Sequence, residues 1–374
     1  MKKYLQIGAG LAISLFLLWW VFGDTQWQEV GHALANMHWG YGLLGLGLII
    51  VSFFTRTKRW SYIVRTAGPV PFSTLFHATQ IGFLANFTLP LRAGEPIRAL
   101  ALSLRTTIPF TKSFAFVALD RVTDVFSLVI VLVLSLIFFR PSEPIPLPAS
   151  ISSEPLSPEM MQRGATVLAV AIVVAFAGLM LVFLQQQRFL RLSDWMLRPV
   201  SKTLAEKVHV WFSHFAEGLT ILRHPKLLAL SLAWSLPTWG LGMLGMAALM
   251  WAFDVAFPWY APIVIQSTLA IVISLPGAPG FVGQFHAGIV AGLIASVPAM
   301  SDSMMDTIAI VAHLANMLPV VLIGLYSLHV EGVGLMALRR ESEQKAEALE
   351  QEREQQVEED WAAEEAEQST GPGG

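Results

Sequence analysis

The chain has 374 residues, of which 54% are hydrophobic and only 14% charged, with a mean hydropathy of +0.58. Soluble domains usually carry about 25% charged residues, so this composition excludes an ordinary globular enzyme and points to a polytopic membrane bundle. Cysteine is absent, which excludes disulfides and thiolate metal sites. The net charge of −3 hides two regions: twelve acidic and two basic residues from Glu341 onward leave a body of +7.

A helix crosses the hydrocarbon core with about 20 apolar residues. In chain order, the runs that meet this are Tyr4–Phe22, Trp39–Thr57, Ser113–Phe139, Gly164–Leu184, Leu227–Phe253 and Thr307–Leu328. The first begins like a signal peptide, but no small-residue cleavage site follows, so it reads as a retained helix. Lysine and arginine collect on the cytoplasmic side of short connectors. They precede the first span (Lys2, Lys3) and follow the second (Arg56, Lys58, Arg59, Arg65). They also fill the connector Gln185–Lys226 and follow the last span (Arg339, Arg340). Segments Gly23–His38 and Pro141–Gln162 have none. Both termini are therefore expected inside.

That orientation leaves two apolar segments that must enter and leave on one face: Phe72–Leu104 from inside and Pro258–Val297 from outside. Each is broken by proline and glycine, LPLRAG (Leu89–Gly94) in one and LPGAPG (Leu275–Gly280) in the other. The expected fold is an all-α polytopic membrane protein. About six transmembrane helices and two re-entrant helical hairpins form two halves of opposite orientation, an arrangement that puts binding sites at broken helices near the midplane. The alternative is two complete spans in each region. Residues 1–340 make the membrane domain, and 341–374 an acidic cytoplasmic tail, helical or disordered, that allows a protein-partner role.

The breaks are marked by Pro90 and Gly94 in the first, and by Pro276, Pro279, Gly280 and Gly283 in the second. Freed backbone groups at membrane depth survive only where protein or a wet cavity satisfies them. After Gly94 a new helix starts, and its free N–H groups favour an anion. Arg92 and Arg98 add positive charge there. Glu95 holds one of them, and Asn86 caps or bridges the break. An anion site and a self-contained Arg–Glu clasp both fit. Further on, the apolar run Val125–Phe139 is too short to cross alone, so Asp120, Arg121 and Asp124 lie within the membrane. Asp120 and Asp124 share a helix face, and Arg121 reaches Asp124. Charged groups there cost roughly 2.5–3.5 kcal/mol each, so they face inward and are paired. An ion pair with Arg92 or Arg98 and a headgroup or proton site remain open alternatives. In the second half, Gln284, His286, and His313 with Asn316 are the polar candidates. Small residues there, such as Gly283 and Gly288, either let helices approach or leave room for acyl chains. No phosphate-loop, nucleophile or metal motif occurs; neither cofactor, metal, nucleic acid nor enzymatic activity is expected.

Three ordered segments, NFTLPLRAGEPIRALAL, ALDRVTDVFSLVIV and SLPGAPGFVGQFHAGIVAGL, resemble the flippase-like membrane domain of lysylphosphatidylglycerol synthases and its stand-alone relatives. The first resembles the family's N-x-x-x-P-x-R-x-G-E-x-x-R, with Asn86, Pro90, Arg92, Gly94, Glu95 and Arg98 at the matching positions. Asp120, Arg121 and Asp124 match the second motif, where many members carry Glu before the arginine. Pro276, Pro279, Gly280 and Gly283 match the third, after which relatives often carry Glu where this chain has Gln284 and then His286. The resemblance covers roughly Tyr4 to Arg340 and implies movement of a phospholipid or polyprenyl-type lipid between leaflets of a bacterial inner membrane. It does not extend to an aminoacyl-transfer domain, so synthase activity is not carried over. On this reading Arg92, Arg98 and Arg121 read phosphate, and Glu95, Asp120 and Asp124 hold them. A proton-coupled transporter of a small solute, with Asp120 and Asp124 as relay, and a membrane scaffold working through the tail are the competing classes.

Overall fold

A computed structural model describes residues 27–89, 93–139, 219–274, 279–281 and 283–331, with scattered positions between 157 and 188. The expected spans Tyr4–Phe22 and, for the most part, Gly164–Leu184 lie outside the described residues. So do Pro90, Arg92, Pro276, most of the basic connector and the acidic tail. The chain divides into two compact units, Met1–Ser327 and Leu328–Gly374; the description that follows concerns the first.

All regular structure among the described residues is helical: α1 (Trp27–Asn36), α2 (Trp39–Val64), α3 (Phe72–Thr88), α4 (Gly94–Arg105), α5 (Phe110–Phe138), α6 (Pro225–Ala252), α7 (Ala261–Ser274), α8 (Gln284–Ser296) and α9 (Asp302–Val330). Four of them, α2, α5, α6 and α9, are long and apolar enough to cross a membrane. Their outward faces carry large exposed hydrophobics such as Leu43, Phe54, Ile130, Leu236 and Leu322. Trp39, Tyr41, Trp251 and Trp259 are exposed at one end of the bundle, the headgroup-level position that amphipathic rings favour. The protein is an all-α, multi-pass membrane protein.

The span α2 runs seven residues beyond the expected Thr57, to Val64. Arg59, read from the sequence as part of a basic connector, is therefore inside a helix and fully buried. α2 and α6 lie antiparallel. The His38 N–H donates to the Ala252 carbonyl at one end, and the Ser231 hydroxyl donates to the Arg59 carbonyl at the other. Between them, a Cβ added at Gly45 would stand 3.2 Å from the Gly245 carbonyl oxygen, so only small residues permit this crossing.

Each of α2 and α6 is followed by a helical hairpin and then by another span. At 1.5 Å per residue, α4 is about 18 Å long, and α7 and α8 about 20 Å, well short of the hydrocarbon core. α3 runs back along α2, with Phe54 stacked on Phe76 at 4.7 Å and Phe53 near Phe83, so the first hairpin enters from the end where α2 finishes. α7 starts beside the end of α5, where Tyr260 meets Phe139, so the second enters from the opposite, aromatic end. Within it α7 and α8 are antiparallel, Leu269 facing Gly288 and Ile265 facing Gly292. The two breaks meet: Phe87 lies edge-on to Phe281 at 5.5 Å and near His313.

Candidate functional site: a buried arginine–carboxylate cluster

Asp120 lies about 15 Å along α5 from its first residue and is fully buried. A bare carboxylate there would be expensive, and three helices converge to pair it. Arg59 from α2 donates through Nε and Nη2 to Oδ1 at 3.0 and 2.8 Å. Arg98 from α4 donates through Nη1 to Oδ2 at 2.7 Å. Arg59 also donates to Asp124 Oδ1, one turn further along α5. Arg121 lies 3.1 Å from Asp124 Oδ2 and 3.4 Å from Asp120 Oδ2, and Arg56 lies 3.7 Å from Asp124 Oδ2. Both oxygens of each aspartate thus face guanidinium groups.

Glu95 does not hold Arg98. Its Oε2 faces Arg121 Nε at 3.6 Å, and its Oε1 accepts from Asn86 Nδ2 at 3.4 Å. Asn86 bridges the first break, its Oδ1 accepting the Gly94 N–H at 2.9 Å. Gly94 has no alternative at this point: a Cβ on it would stand 2.0 Å from the Gly82 carbonyl. Arg92, the other expected partner of Glu95, lies outside the described residues; those described form a cluster of four arginines and three carboxylates, one positive charge in excess among them.

Arg98 has donors to spare among the described residues. It is 1% exposed and its Cζ sits 3.8 Å from the centre of the Trp60 ring, a cation–π contact that fixes the plane of the guanidinium. Its Nε and Nη2 are buried and have no hydrogen-bond partner among the described residues. A planar fork with two N–H groups unused matches the oxygens of a phosphate or carboxylate.

Arg56 connects the cluster to a cavity of about 110 Å³ bounded by α2, α6, α7, α8 and α9. Gln266, Thr238, Ser52 and Asn316 contribute polar groups to its wall, and Gly242, Gly245, Leu249 and Phe285 apolar ones. Both halves contribute to its wall.

The second-half candidates form a separate group. His313 on α9 stacks on Phe285 at 4.7 Å, meets His286 at 5.0 Å and binds the Gly280 carbonyl through Nε2 at 2.8 Å. Gln284 Nε2 donates to the Val272 carbonyl at 3.3 Å. Gly280 and Gly283 have φ of 69° and 73°, left-handed conformations that glycine adopts without strain. No group of three metal-ligating side chains occurs among the described residues. Among the described residues around the second break, ring packing and these side-chain bonds to backbone carbonyls are the visible contacts.

Sequence reasoning missed Arg59 and Arg56. The usable signal was their i,i+3 spacing, which puts both on one face of a continued helix opposite two acids, Asp120 and Asp124, that need counter-ions.

The model of the lysylphosphatidylglycerol synthase transmembrane region matches residues 7–324. A UPF0104 membrane protein of Methanothermobacter thermautotrophicus is 23% identical over 340 residues, covering 84% of this chain and 89% of that protein. One of Pyrococcus horikoshii is 28% identical over 142 residues, covering 37% of this chain and 41% of that protein. With the family match running from before the first described helix to within the last, the chain belongs to the lysylphosphatidylglycerol synthase transmembrane-region family.

Proposed function

We propose that the protein moves a lipid with a phosphate-bearing headgroup, a phospholipid or a polyprenyl-type lipid, between the leaflets of a bacterial cytoplasmic membrane, with no covalent turnover. The observation that carries this reading is Arg98: buried, fixed over Trp60, and holding two N–H groups without a partner among the described residues, which count one more guanidinium than carboxylate in the cluster. In this reading the headgroup phosphate enters the cavity past Arg56 and takes the free donors of Arg98. Glu95, Asp120 and Asp124 hold the surrounding arginines and exchange partners as it passes. Arg92 and Arg121 are further candidates for the same phosphate. The reading takes the cluster to lie in the inner leaflet and both termini in the cytoplasm, supported by the positive-inside distribution of lysine and arginine. Against the proton-relay alternative, both Asp120 oxygens are taken by arginines, Arg59 and Arg98.

The test is movement of fluorescent phospholipid in proteoliposomes by wild type and by Arg98→Lys. Lysine keeps the charge and the pair with Asp120 but loses the planar fork. The expected result is a folded protein that moves lipid more slowly and retains less anionic lipid on purification. A wild type that moves no lipid under any imposed ion gradient, yet passes current with a soluble substrate, sinks the reading.

A further inference from the structure

Trp239 on α6 stands between two spaces of opposite chemistry. One is the cavity next to Arg56. The other is a groove of about 140 Å³ between the outer faces of α5 and α6, with Phe126, Ile130 and Leu134 on one wall and Leu236 and Met243 on the other. Trp239 lines both. Phe126 and Leu236 are 45% and 66% exposed on helices long enough to span, so the groove opens toward bilayer hydrocarbon.

Three features distinguish this seam from ordinary helix packing. First, two buried donors along it have no partner among the described residues, Trp239 Nε1 and Ser235 Oγ. Buried indole N–H groups usually find an acceptor, and Ser235 is only 3% exposed. Second, Pro237 lies inside α6, where its missing N–H weakens the helix beside Trp239. Third, Gly240 faces open space, with nothing within 4 Å of an added Cβ.

We propose that the groove between α5 and α6 is a lateral portal that takes an acyl chain of a bilayer phospholipid, with Trp239 as the gate between hydrocarbon and the inner cavity. This rests on the lipid reading above and adds the route of entry. The occupant follows from the chemistry. The walls are apolar, the opening faces lipid, and the two unpartnered donors call for acceptors that the ester oxygens of a glycerolipid supply. The inner end leads through a polar wall to Arg56, where a phosphate is welcome. An amphiphile with its tail outside and its headgroup inside matches all of these at once. A soluble solute matches only the inner part.

The experiment compares wild type, Gly240→Phe, Trp239→Phe and the control Gly47→Phe. Gly47, on α2, likewise has nothing within 4 Å of an added Cβ and lines neither space. Two quantities are read: phospholipid retained per protein after extraction in native membrane discs, and fluorescent phospholipid movement in proteoliposomes. Gly240→Phe fills the groove and is expected to cut both by an order of magnitude while Gly47→Phe changes neither. Trp239→Phe keeps the ring, loses the N–H, and is expected to slow movement several-fold. If wild type moves lipid and Gly240→Phe moves it equally fast, the portal is wrong and the lipid reading stands. If wild type retains a phospholipid that Gly240→Phe loses, but moves none, the groove is a lipid site and the translocation reading fails. A wild type that neither retains nor moves lipid overturns both.

Discussion

The two halves share one plan, a span, a hairpin and a span, yet they are held together by different physics. Around the first hairpin, α2, α4 and α5 converge on Asp120 through charge-assisted hydrogen bonds from Arg59 and Arg98. Around the second, α6, α7, α8 and α9 converge on an apolar cluster that includes Met250, Ile265, Phe285, Ile289, Leu293 and Ile308. His313 is its polar insertion. Apolar contact in a membrane gains little over lipid contact, so the second half relies on close helix approach. The first half accepts the full burial of Arg59, Arg98 and Asp120, although buried ion pairs rarely improve on apolar packing.

The largest expected effect comes from breaking the ionic half. Asp120→Asn is nearly isosteric, but it removes the charge that both Arg59 and Arg98 face. Stranding buried charges costs about 3–5 kcal/mol, enough to remove most folded protein from the membrane, as read by the monodisperse fraction after detergent extraction. If Asp120→Asn extracts as well as wild type, the cluster does not hold the first half together.

A smaller effect is expected in the apolar half. Gly288 lies against α7, and an added Cβ would stand 2.7 Å from the Leu269 Cα. The glycine serves close approach and leaves no room for an acyl chain there. Gly288→Ala is expected to lower stability by about 1–3 kcal/mol through overpacking, seen as a lower midpoint of thermal unfolding with lipid movement retained below it. An unchanged midpoint would mean that the hairpin adjusts freely, and the contrast between the halves would weaken.

The smallest effect belongs to the seam between halves. Thr238 donates at 3.0 Å to Thr55 across the α2–α6 crossing, and its hydroxyl also lies 2.8 Å from the Trp234 carbonyl. Interhelical hydrogen bonds in membranes average about 0.6 kcal/mol, so Thr238→Val is expected to shift the midpoint barely above error. A large loss would show that polar contacts, and not the Gly45–Gly245 approach, join the halves.

The broad outline was legible in the residues. Long apolar runs mark α2, α5, α6 and α9 because a helix is the cheapest way to satisfy backbone polar groups in hydrocarbon. Proline and glycine mark the two breaks because they remove a donor or relax φ. Local sequence windows carried those facts, and the basic residues around Thr57 misled in the same windows. Arg56, Lys58 and Arg59 look like a connector when read along the chain.

What the sequence determined by itself was therefore the class of the protein, the approximate places of α2, α5, α6 and α9 and of the two hairpins, and the need of Asp120 and Asp124 for counter-ions. Only the tertiary structure decided which cations answer that need. Arg59 lies 61 residues from Asp120, and its burial depends on α2 continuing to Val64 and turning that face toward α5. It also decided that Glu95 faces Arg121 while Arg98 Nε and Nη2 find no partner among the described residues, and that Trp239 lines both the inner cavity and the groove between α5 and α6. Pairing energies of this kind depend on distances between helices remote in sequence, which local composition cannot encode.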